Sequence, residues 1–165
     1  MSERGDKGLT CGECLLNVSK DSPFVEVVGA IDDFQARLGS ARVLLKGDEE
    51  KTILKIEEDL AGVMGSLFSG TDWEQGKKRI EKIEDGIKSY QVRVESLDNF
   101  LIPGKNEIES RLNLCRTGCR TAERRIVTLK WDREEKEGLD FDDNILKYFN
   151  ILSKYLYLMW RSKFD

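Results

Sequence analysis

The chain has 165 residues, of which 35% are charged and 39% hydrophobic, with only 2 prolines. This length fits one domain, residues 1–165, and the composition favours long amphipathic helices. The net charge of -4 argues against a dedicated nucleic-acid binder. Because the sequence contains no histidine, we exclude Ser-His and Cys-His catalytic pairs and every His-ligated zinc or iron site.

Neither a membrane span nor an export signal is visible in the sequence pattern. No run of about 18 apolar residues occurs. The first residues, MSERGDKGLT, contain no hydrophobic stretch of the signal-peptide type. We therefore expect a soluble, cytoplasmic protein without a membrane partner.

The first half of the chain predicts a loop followed by two helices. Residues 1–21 are rich in Gly, Ser, Asp and Lys and lack helical periodicity. The first helix begins after the N-cap Ser22 and runs to about Leu45, with apolar residues at helical spacing. The second follows Gly47 and ends at the turn SGTD, residues 69–72.

Three further helices are predicted in the second half. The third is capped by Thr71 or Asp72 and runs to about Leu97. The fourth and fifth cover about residues 106–129 and 141–159, separated by the charged linker DREEKEG. Since strand-like alternation is missing, the expected fold is all-α. It is an up-and-down five-helix bundle over residues 22–165, with a core of the four-helix-bundle or ferritin-like type.

Four cysteines occur as two pairs, Cys11 with Cys14 and Cys115 with Cys119. Their spacing permits a four-thiolate zinc site, or a redox pair at CGEC. Cys115 and Cys119 are one helical turn apart, however, and small sulfur side chains at this spacing usually pack between helices. Packing is the favoured interpretation, and no protein-bound metal is predicted.

Aromatic residues lie on more than one side of the fifth helix: Tyr148, Tyr155, Tyr157 and Trp160. Core packing accounts for most residues of this kind. A subunit interface or a large ligand could cover the remainder, and we take Tyr157 as a candidate ligand-binding residue.

Positive charge is concentrated in residues 111–130, which contain six basic residues and one acid. Arg116, Arg120 and Arg124 follow at four-residue steps and share one helix face, where like charges repel unless an anion lies between them. Glu123 can neutralise part of this face, and a solvated basic face is the alternative interpretation. The position of Asp32 favours the interpretation that this arginine face has a charged partner. Asp32 lies at the edge of the apolar face of the first helix, where an unpaired acid is costly, and we expect it to pair with an arginine across the bundle.

The N-terminal segment has the residues of a polyphosphate site. Gly5, Gly8 and Gly12 leave backbone N–H groups accessible, Thr10 supplies a hydroxyl, and Lys20 an ammonium group. Neither a P-loop nor a Rossmann fingerprint is present. A flexible tail is the alternative interpretation.

Six segments, taken together, carry a resemblance to a known family: GDKG, VSKDSP, VVGAIDDFQARLG, FLIPGK, CRTGCRTAERRIV and YFNILSKYLYLMWR. In this order and spacing they resemble the PduO-type ATP:cob(I)alamin adenosyltransferases, whose typical forms include TRTGDKG, VSKDDP, FILPGG and YLNRLSDLLF. The resemblance covers most of the chain.

The resemblance implies a homotrimer of five-helix bundles with ATP at the subunit interface and the corrinoid over it. In the implied reaction, reduced cobalt attacks C5′ of ATP, giving adenosylcobalamin and triphosphate, so the nucleophile belongs to the corrinoid and no histidine is needed. ATP, cobalamin and Mg²⁺ are the implied ligands, the Mg²⁺ being held mainly by phosphate oxygens and water. A reductase and an adenosylcobalamin-dependent acceptor enzyme are the implied transient partners.

The resemblance also assigns roles to single residues. The nucleotide-binding stretch corresponds to Ser2, Arg4, Gly5, Asp6, Thr10 and Cys11, and the phosphate-binding lysine to Lys20. The arginine box and the asparagine of YLNRLS correspond to Arg116, Arg120, Glu123, Arg124 and Asn150. Asp32 matches an acid that pairs with the arginine at Arg120. Phe100 matches a phenylalanine that helps keep the lower axial ligand off cobalt, so that four-coordinate cob(II)alamin can be reduced. The implied catalytic residues are thus Asp32, Phe100, Arg120 and Arg124.

The sequence departs from the family pattern at Arg4, Leu9, Cys11, Lys105, Thr121 and Lys154. Thr121 replaces an arginine of the box and removes one phosphate contact, for which Arg4 could substitute. Two other functions stay open at this point. The chain could be a catalytically weak bundle that carries or senses a corrinoid or nucleotide, or an adaptor that binds no small ligand.

Overall fold

A computed structural model describes residues 5–11, 17–94 and 101–164. A short 3-10 turn, Gly5–Lys7, leads into a hairpin of β1, Leu9–Cys11, and β2, Asn17–Ser19. The five helices are α1, Pro23–Arg42; α2, Asp48–Ser69; α3, Gly76–Gln91; α4, Glu107–Asp132; and α5, Asp143–Arg161. The five-helix prediction is confirmed.

The helices follow one another around the core in the spatial order α2, α1, α4, α5, α3. α1 and α4 are antiparallel, because Glu26 near the start of α1 pairs with Arg125 near the end of α4, whereas Arg37 near the end of α1 contacts Cys115. The core begins at Phe24 and includes the rings of Phe34, Tyr148 and Phe149, which are fully buried. Within the described ranges, no helix is long and apolar enough to span a membrane.

The expectation that the chain contains no strands is wrong at the N-terminus. β1 and β2 pair antiparallel, with Thr10 opposite Val18. Each strand has three residues, too few for a two-residue alternation to stand out in the sequence. The backbone of Lys20 donates to the carbonyl of Gly8 at 2.9 Å and closes the hairpin at the start of α1.

Side-chain caps set the starts of three helices where the sequence places a suitable residue. Ser22 Oγ accepts from the backbone N–H of Val25, and Asn106 Oδ1 accepts from that of Glu109. Asp142 caps α5 in the same way. α3 instead begins at Gly76, later than expected. Trp73 is buried against the ring of Tyr148, and the backbone N–H of Trp73 donates to the carboxylate of Asp142.

Three predicted helix ends are displaced. α1 stops at Arg42 instead of Leu45, and α3 stops at Gln91 instead of about Leu97. α4 continues to Asp132 and then into a π-helical turn, Arg133–Glu137, through most of the charged linker. The extension is held by Arg133, which is buried, donates to the carbonyl of Leu67 and lies over the Phe141 ring. The buried side chain of Arg133 thus anchors this extension to the core, a role that apolar side chains usually have.

Candidate functional site

Three basic residues predicted to bind an anion follow one another along one side of α4: Arg116, Arg120 and Arg124. Arg116 is half-buried; its guanidinium lies 5.7 Å from the centroid of the Trp160 ring and donates to Asn113 Oδ1 at 2.9 and 3.0 Å. Arg120 and Arg124 are exposed, and neither forms an ion pair with a described residue. Their positive charge is left available to a ligand.

The one acid within residues 111–130 does not neutralise the arginine face. Glu123 is half-exposed and makes no ion pair with any residue in the described ranges. The neighbouring Arg125, by contrast, turns toward α1 and pairs with Glu26 at 3.2 Å. Arg125 thus joins α4 to α1, whereas Arg120 and Arg124 stay exposed.

The predicted residues of α5 lie beside this arginine face. The thiol of Cys119 donates to the carbonyl oxygen of Phe149 at 3.4 Å, so the residues that follow them, Arg120 and Asn150, lie at the same level of the two helices. Asn150 is exposed. One outer surface therefore contains the exposed arginines together with Asn150.

Tyr157 extends the same surface by two helical turns. Its side chain is 38% exposed, whereas Tyr148, Tyr155 and Trp160 are buried. The Tyr157 ring lies 5.6 Å from that of Trp160, which also carries Arg116. We name the surface formed by Arg116, Arg120, Arg124, Asn150 and Tyr157 the α4/α5 face.

The expected ion pair between Asp32 and Arg120 is not present within the chain. Asp32 is exposed, and no ion pair joins it to Arg120. The next residue, Asp33, pairs with Arg37 at 2.7 Å instead. Asp32 lies farther from the core than expected, because it follows the fully buried Ile31 and is rotated from it by about 100° around the helix.

Asp32 and Arg120 point to opposite sides of the α1 and α4 pair. Asp32 lies seven residues before Gly39 on the same side of α1, and a Cβ at Gly39 would be 3.3 Å from Glu57 of α2. Arg120 lies on the α5 side of α4, one turn after Arg116. The two side chains therefore cannot meet across one bundle.

The N-terminal candidates are only partly within the described residues. Ser2 and Arg4 lie outside them, and Gly5 and Cys11 are described by their backbone, in the 3-10 turn and β1. Asp6 and Lys20 are exposed, and Thr10 is half-buried in β1. The hairpin meets the bundle at a cavity of about 120 Å³ between Val18, the start of α1 and the end of α4. The hairpin thus lies near the C-terminal end of α4, beyond Arg124.

Phe100 also lies outside the described residues, which resume with the loop at Leu101. The backbone N–H groups of Gly104 and Lys105 donate to Glu109 Oε2 at 2.7 and 3.1 Å. Glu109 has no exposed surface, although acids in the first turn of a helix are usually exposed. It is not among the residues predicted from the sequence. Its position three residues before Leu112, on the apolar face of α4, is the signal that could have identified it.

The cysteines of α4 behave as packing residues. Cys115 and Cys119 are free and buried, and burial raises the pKa of the Cys115 thiol to about 12. Burial likewise raises the pKa of Cys119, with Glu123 adding to the effect. Among the residues whose side chains are described, no cluster of three or more His, Cys, Asp or Glu side chains could hold a metal ion. Cys14 lies outside the described residues.

A cavity of about 670 Å³ between α2 and α3 contains none of the predicted site residues. Its floor includes Asp59, whose carboxylate is 2.8 Å from Arg79 Nε and accepts from the Tyr148 hydroxyl at 3.0 Å. Burial raises the pKa of Asp59 despite the nearby Arg79. Its buried charges are already paired with one another, so this cavity does not compete with the unneutralised α4/α5 face as an anion site.

The model of the family described as cobalamin adenosyltransferase matches residues 1–163. The chain belongs to this family. The resemblance seen in the motifs is thereby confirmed over nearly the whole sequence.

Curated relatives come from bacteria and animals. The chain is 32% identical to the corrinoid adenosyltransferase PduO of Salmonella typhimurium over 96% of its own length and 48% of that protein. It is 32% identical to the corrinoid adenosyltransferase of Bacillus subtilis, over 94% of this chain and 81% of the relative. The human corrinoid adenosyltransferase MMAB is 29% identical, over 97% and 66%. The chain thus spans about half the length of the Salmonella relative and most of the Bacillus one.

Solved structures share the fold. A variant PduO-type ATP:corrinoid adenosyltransferase from Lactobacillus reuteri, complexed with cobalamin and ATP, superposes with a TM-score of 0.82 at 24% identity, covering 99% of this chain and 92% of that one. A second variant of that type from the same organism, complexed with ATP, also gives 0.82 at 24% identity, over 99% and 93%. At this identity the likeness establishes the five-helix fold with its small N-terminal hairpin.

Proposed function

We propose that this chain transfers the 5′-deoxyadenosyl group of ATP to the cobalt of cob(I)alamin, giving adenosylcobalamin and triphosphate. The observation that carries the proposal is the α4/α5 face, where Arg120 and Arg124 are exposed and form no ion pair with a described residue, and where Arg120 lies level with Asn150. In a chain of the cobalamin adenosyltransferase family, such a face has the charge required to bind a triphosphate.

The reaction asks little covalent chemistry of the protein. The cobalt(I) of the corrinoid supplies the electron pair for the new cobalt–carbon bond, the C5′–O bond of ATP breaks, and triphosphate leaves with that bonding pair. The protein has to place C5′ in line with cobalt and stabilise the charge that develops on the leaving oxygen. A chain without histidine can do both.

The arginines supply the stabilising charge. Arg124 and Arg120 would bind triphosphate oxygens and orient the two substrates. The orientation of Arg116 is fixed by Trp160 and Asn113. Any Mg²⁺ would be held mainly through phosphate oxygens and water. Asn150 and Glu123 are assigned to the polar part of the nucleotide.

A second copy of the chain completes the site. Asp32 and Arg120 face opposite sides of one bundle, so an Asp32–Arg120 contact requires two subunits. The N-terminal hairpin of one subunit would then approach the α4/α5 face of its neighbour. A head-to-tail contact forms a closed ring when its rotation closes, and we propose a homotrimer, the assembly that the resemblance implies. The neighbour would contribute its N-terminal nucleotide-binding residues: Ser2, Arg4, Gly5, Asp6, Thr10, Cys11 and Lys20.

The corrinoid side of the site is assigned to Phe100 and Tyr157. Phe100 would keep the lower axial ligand off cobalt, and Tyr157 offers an exposed ring at the end of the α4/α5 face. A catalytically weak carrier would share the binding surface without the transfer, so the two functions differ in the product they leave.

Incubation with ATP, Mg²⁺ and chemically reduced cobalamin tests the proposal. We expect the cobalamin absorption spectrum to change to that of adenosylcobalamin, with release of one triphosphate per corrinoid. A spectrum that shifts on binding but shows no alkylation would identify a carrier. An unchanged spectrum would contradict both functions and favour an adaptor that binds no small ligand.

A further inference from the structure

We infer that Glu109 is a positioning residue for the corrinoid half of the site: its buried carboxylate holds the loop that directly follows Phe100. This inference rests on the proposed function, which assigns the corrinoid to Phe100. Glu109 itself lies in the first turn of α4 and acts through the loop, without contacting substrate.

Both carboxylate oxygens of Glu109 are occupied by donors. Oε2 accepts from the backbone N–H groups of Gly104, at 2.7 Å, and Lys105, at 3.1 Å. Oε1 accepts from the indole N–H of Trp160 in α5. A carboxylate without exposed surface is costly unless several donors surround it, and here three do so.

The contacts fix the loop from its first described residue onward. Leu101, the residue after Phe100, is partly buried and packs against the core. Gly104 has φ +112°, a backbone conformation that L side chains rarely adopt, and its N–H points to Glu109. Glu109 therefore restrains the backbone at Gly104 and Lys105, and Leu101 anchors the start of the same loop.

The rest of the loop is attached by contacts that do not involve Glu109. The ammonium group of Lys105 donates to the carbonyl of Phe164, and the amide of Asn106 donates to that of Lys163 at 3.2 Å. These bonds join the loop to the end of α5. A change at Glu109 should therefore loosen residues 101–105 without detaching α4 from α5.

The position of Trp160 connects this loop to the α4/α5 face. Its indole N–H binds Glu109, while its ring carries the guanidinium of Arg116 and contacts Tyr157. The buried carboxylate of Glu109 thus orients both the loop after Phe100 and Trp160, the residue that contacts Arg116 and Tyr157.

Glu109→Gln is the test variant, because it keeps the size of the side chain and removes its ability to accept at both ends. One oxygen becomes an NH₂ group, which must face either the two loop amides or the indole N–H. Glu107→Gln is the matched control, since Glu107 is in the same helical turn but exposed and paired with Arg111 at 2.8 Å. Glu109→Asp, which keeps the charge on a shorter side chain, serves in its place if the Gln variant does not fold.

We expect the KM for cobalamin to rise roughly tenfold in Glu109→Gln, the effect of losing one charge-assisted hydrogen bond. The KM for ATP should stay within about twofold, because Arg116 keeps its two hydrogen bonds to Asn113. The spectrum of four-coordinate cob(II)alamin, formed with ATP bound, should weaken. Amide exchange at Gly104 and Lys105 should accelerate about tenfold or more, since their acceptor is lost. Glu107→Gln should leave all of these unchanged.

Equal changes in the two KM values, or an unchanged cob(II)alamin spectrum in Glu109→Gln, would overturn the positioning role and leave Glu109 a purely structural residue. Failure of the wild-type protein to adenosylate cobalamin would instead overturn the proposed function, and with it this role. The amide exchange separates the two cases, because it reports the hold on the loop without any substrate.

Discussion

The Sγ of Cys119 in α4 lies 3.4 Å from the carbonyl oxygen of Phe149 in α5, so the two helices are in register at this level. The adjacent Arg120 and Asn150 consequently lie side by side on the outer surface. A buried thiol thus aligns two exposed residues of the candidate site. The relation explains why residues 30 positions apart act on the same ligand in our proposal.

The buried thiols predict a fall in stability at alkaline pH. The pKa of Cys115 is raised by burial from 9.0 to about 12, so the folded protein keeps a proton that the unfolded chain loses above pH 9. Each such thiol lowers the free energy of unfolding by about 1.4 kcal/mol per pH unit between the two pKa values. Cys115→Ala should therefore show a shallower decline between pH 9 and 10.5 in urea titrations. A variant with the wild-type slope would contradict this assignment.

Arg124→Ala should impair use of ATP by about 1.5 to 3 kcal/mol in transition-state stabilisation, the range for hydrogen bonds to charged groups. The measurement is kcat/KM at limiting ATP. Arg125→Ala is the control, because Arg125 pairs with Glu26 within the chain, outside the α4/α5 face. Equal effects of the two substitutions would remove Arg124 from the triphosphate site.

Asp32→Asn should change function more than the stability of the fold. Because Asp32 is exposed and unpaired within the chain, the free energy of unfolding should change by less than about 1 kcal/mol. Handling of cob(II)alamin should nevertheless be impaired more than ATP binding. Asp33→Asn, which loses a surface pair with Arg37, is the control. A large stability loss with normal adenosylation would place Asp32 in the fold rather than in the site.

Removal of residues 1–12 should leave a folded bundle that no longer binds ATP. The described core begins at Phe24, so the truncation removes β1 but no core side chain that the structure describes. Circular dichroism and melting temperature would measure the fold, and calorimetry would measure ATP binding. Unchanged ATP affinity would show that these residues are not part of the nucleotide site.

The sequence predicted the helices well because their apolar residues recur at helical spacing and three of them have side-chain caps. The errors occurred where tertiary contacts decide. Arg133 extends α4 through a charged stretch because its guanidinium finds the Leu67 carbonyl and the Phe141 ring, neither of which is adjacent in sequence. The strands of the hairpin are too short to show a pattern.

The candidate site could be predicted only in part. The spacing of Arg116, Arg120 and Arg124 placed them on one face, which the structure retains. Helical periodicity could not show that Asp32 and Arg120 do not meet within one chain, because this depends on which sides of α1 and α4 face each other. Glu109 was missed because a single acid on an apolar face becomes informative only when its donors are known.

The central claim, that Asp32 of one subunit and the α4/α5 face of another form a single adenosylation site, is tested most directly by mixing two inactive variants. Asp32→Asn and Arg120→Ala subunits are unfolded together, refolded as mixed oligomers and assayed for adenosylcobalamin. With equal mixing, about a quarter of the head-to-tail contacts carry both native residues. We predict that activity returns to about that fraction of the wild-type level. Mixed oligomers as inactive as the separate variants would contradict a site shared between subunits.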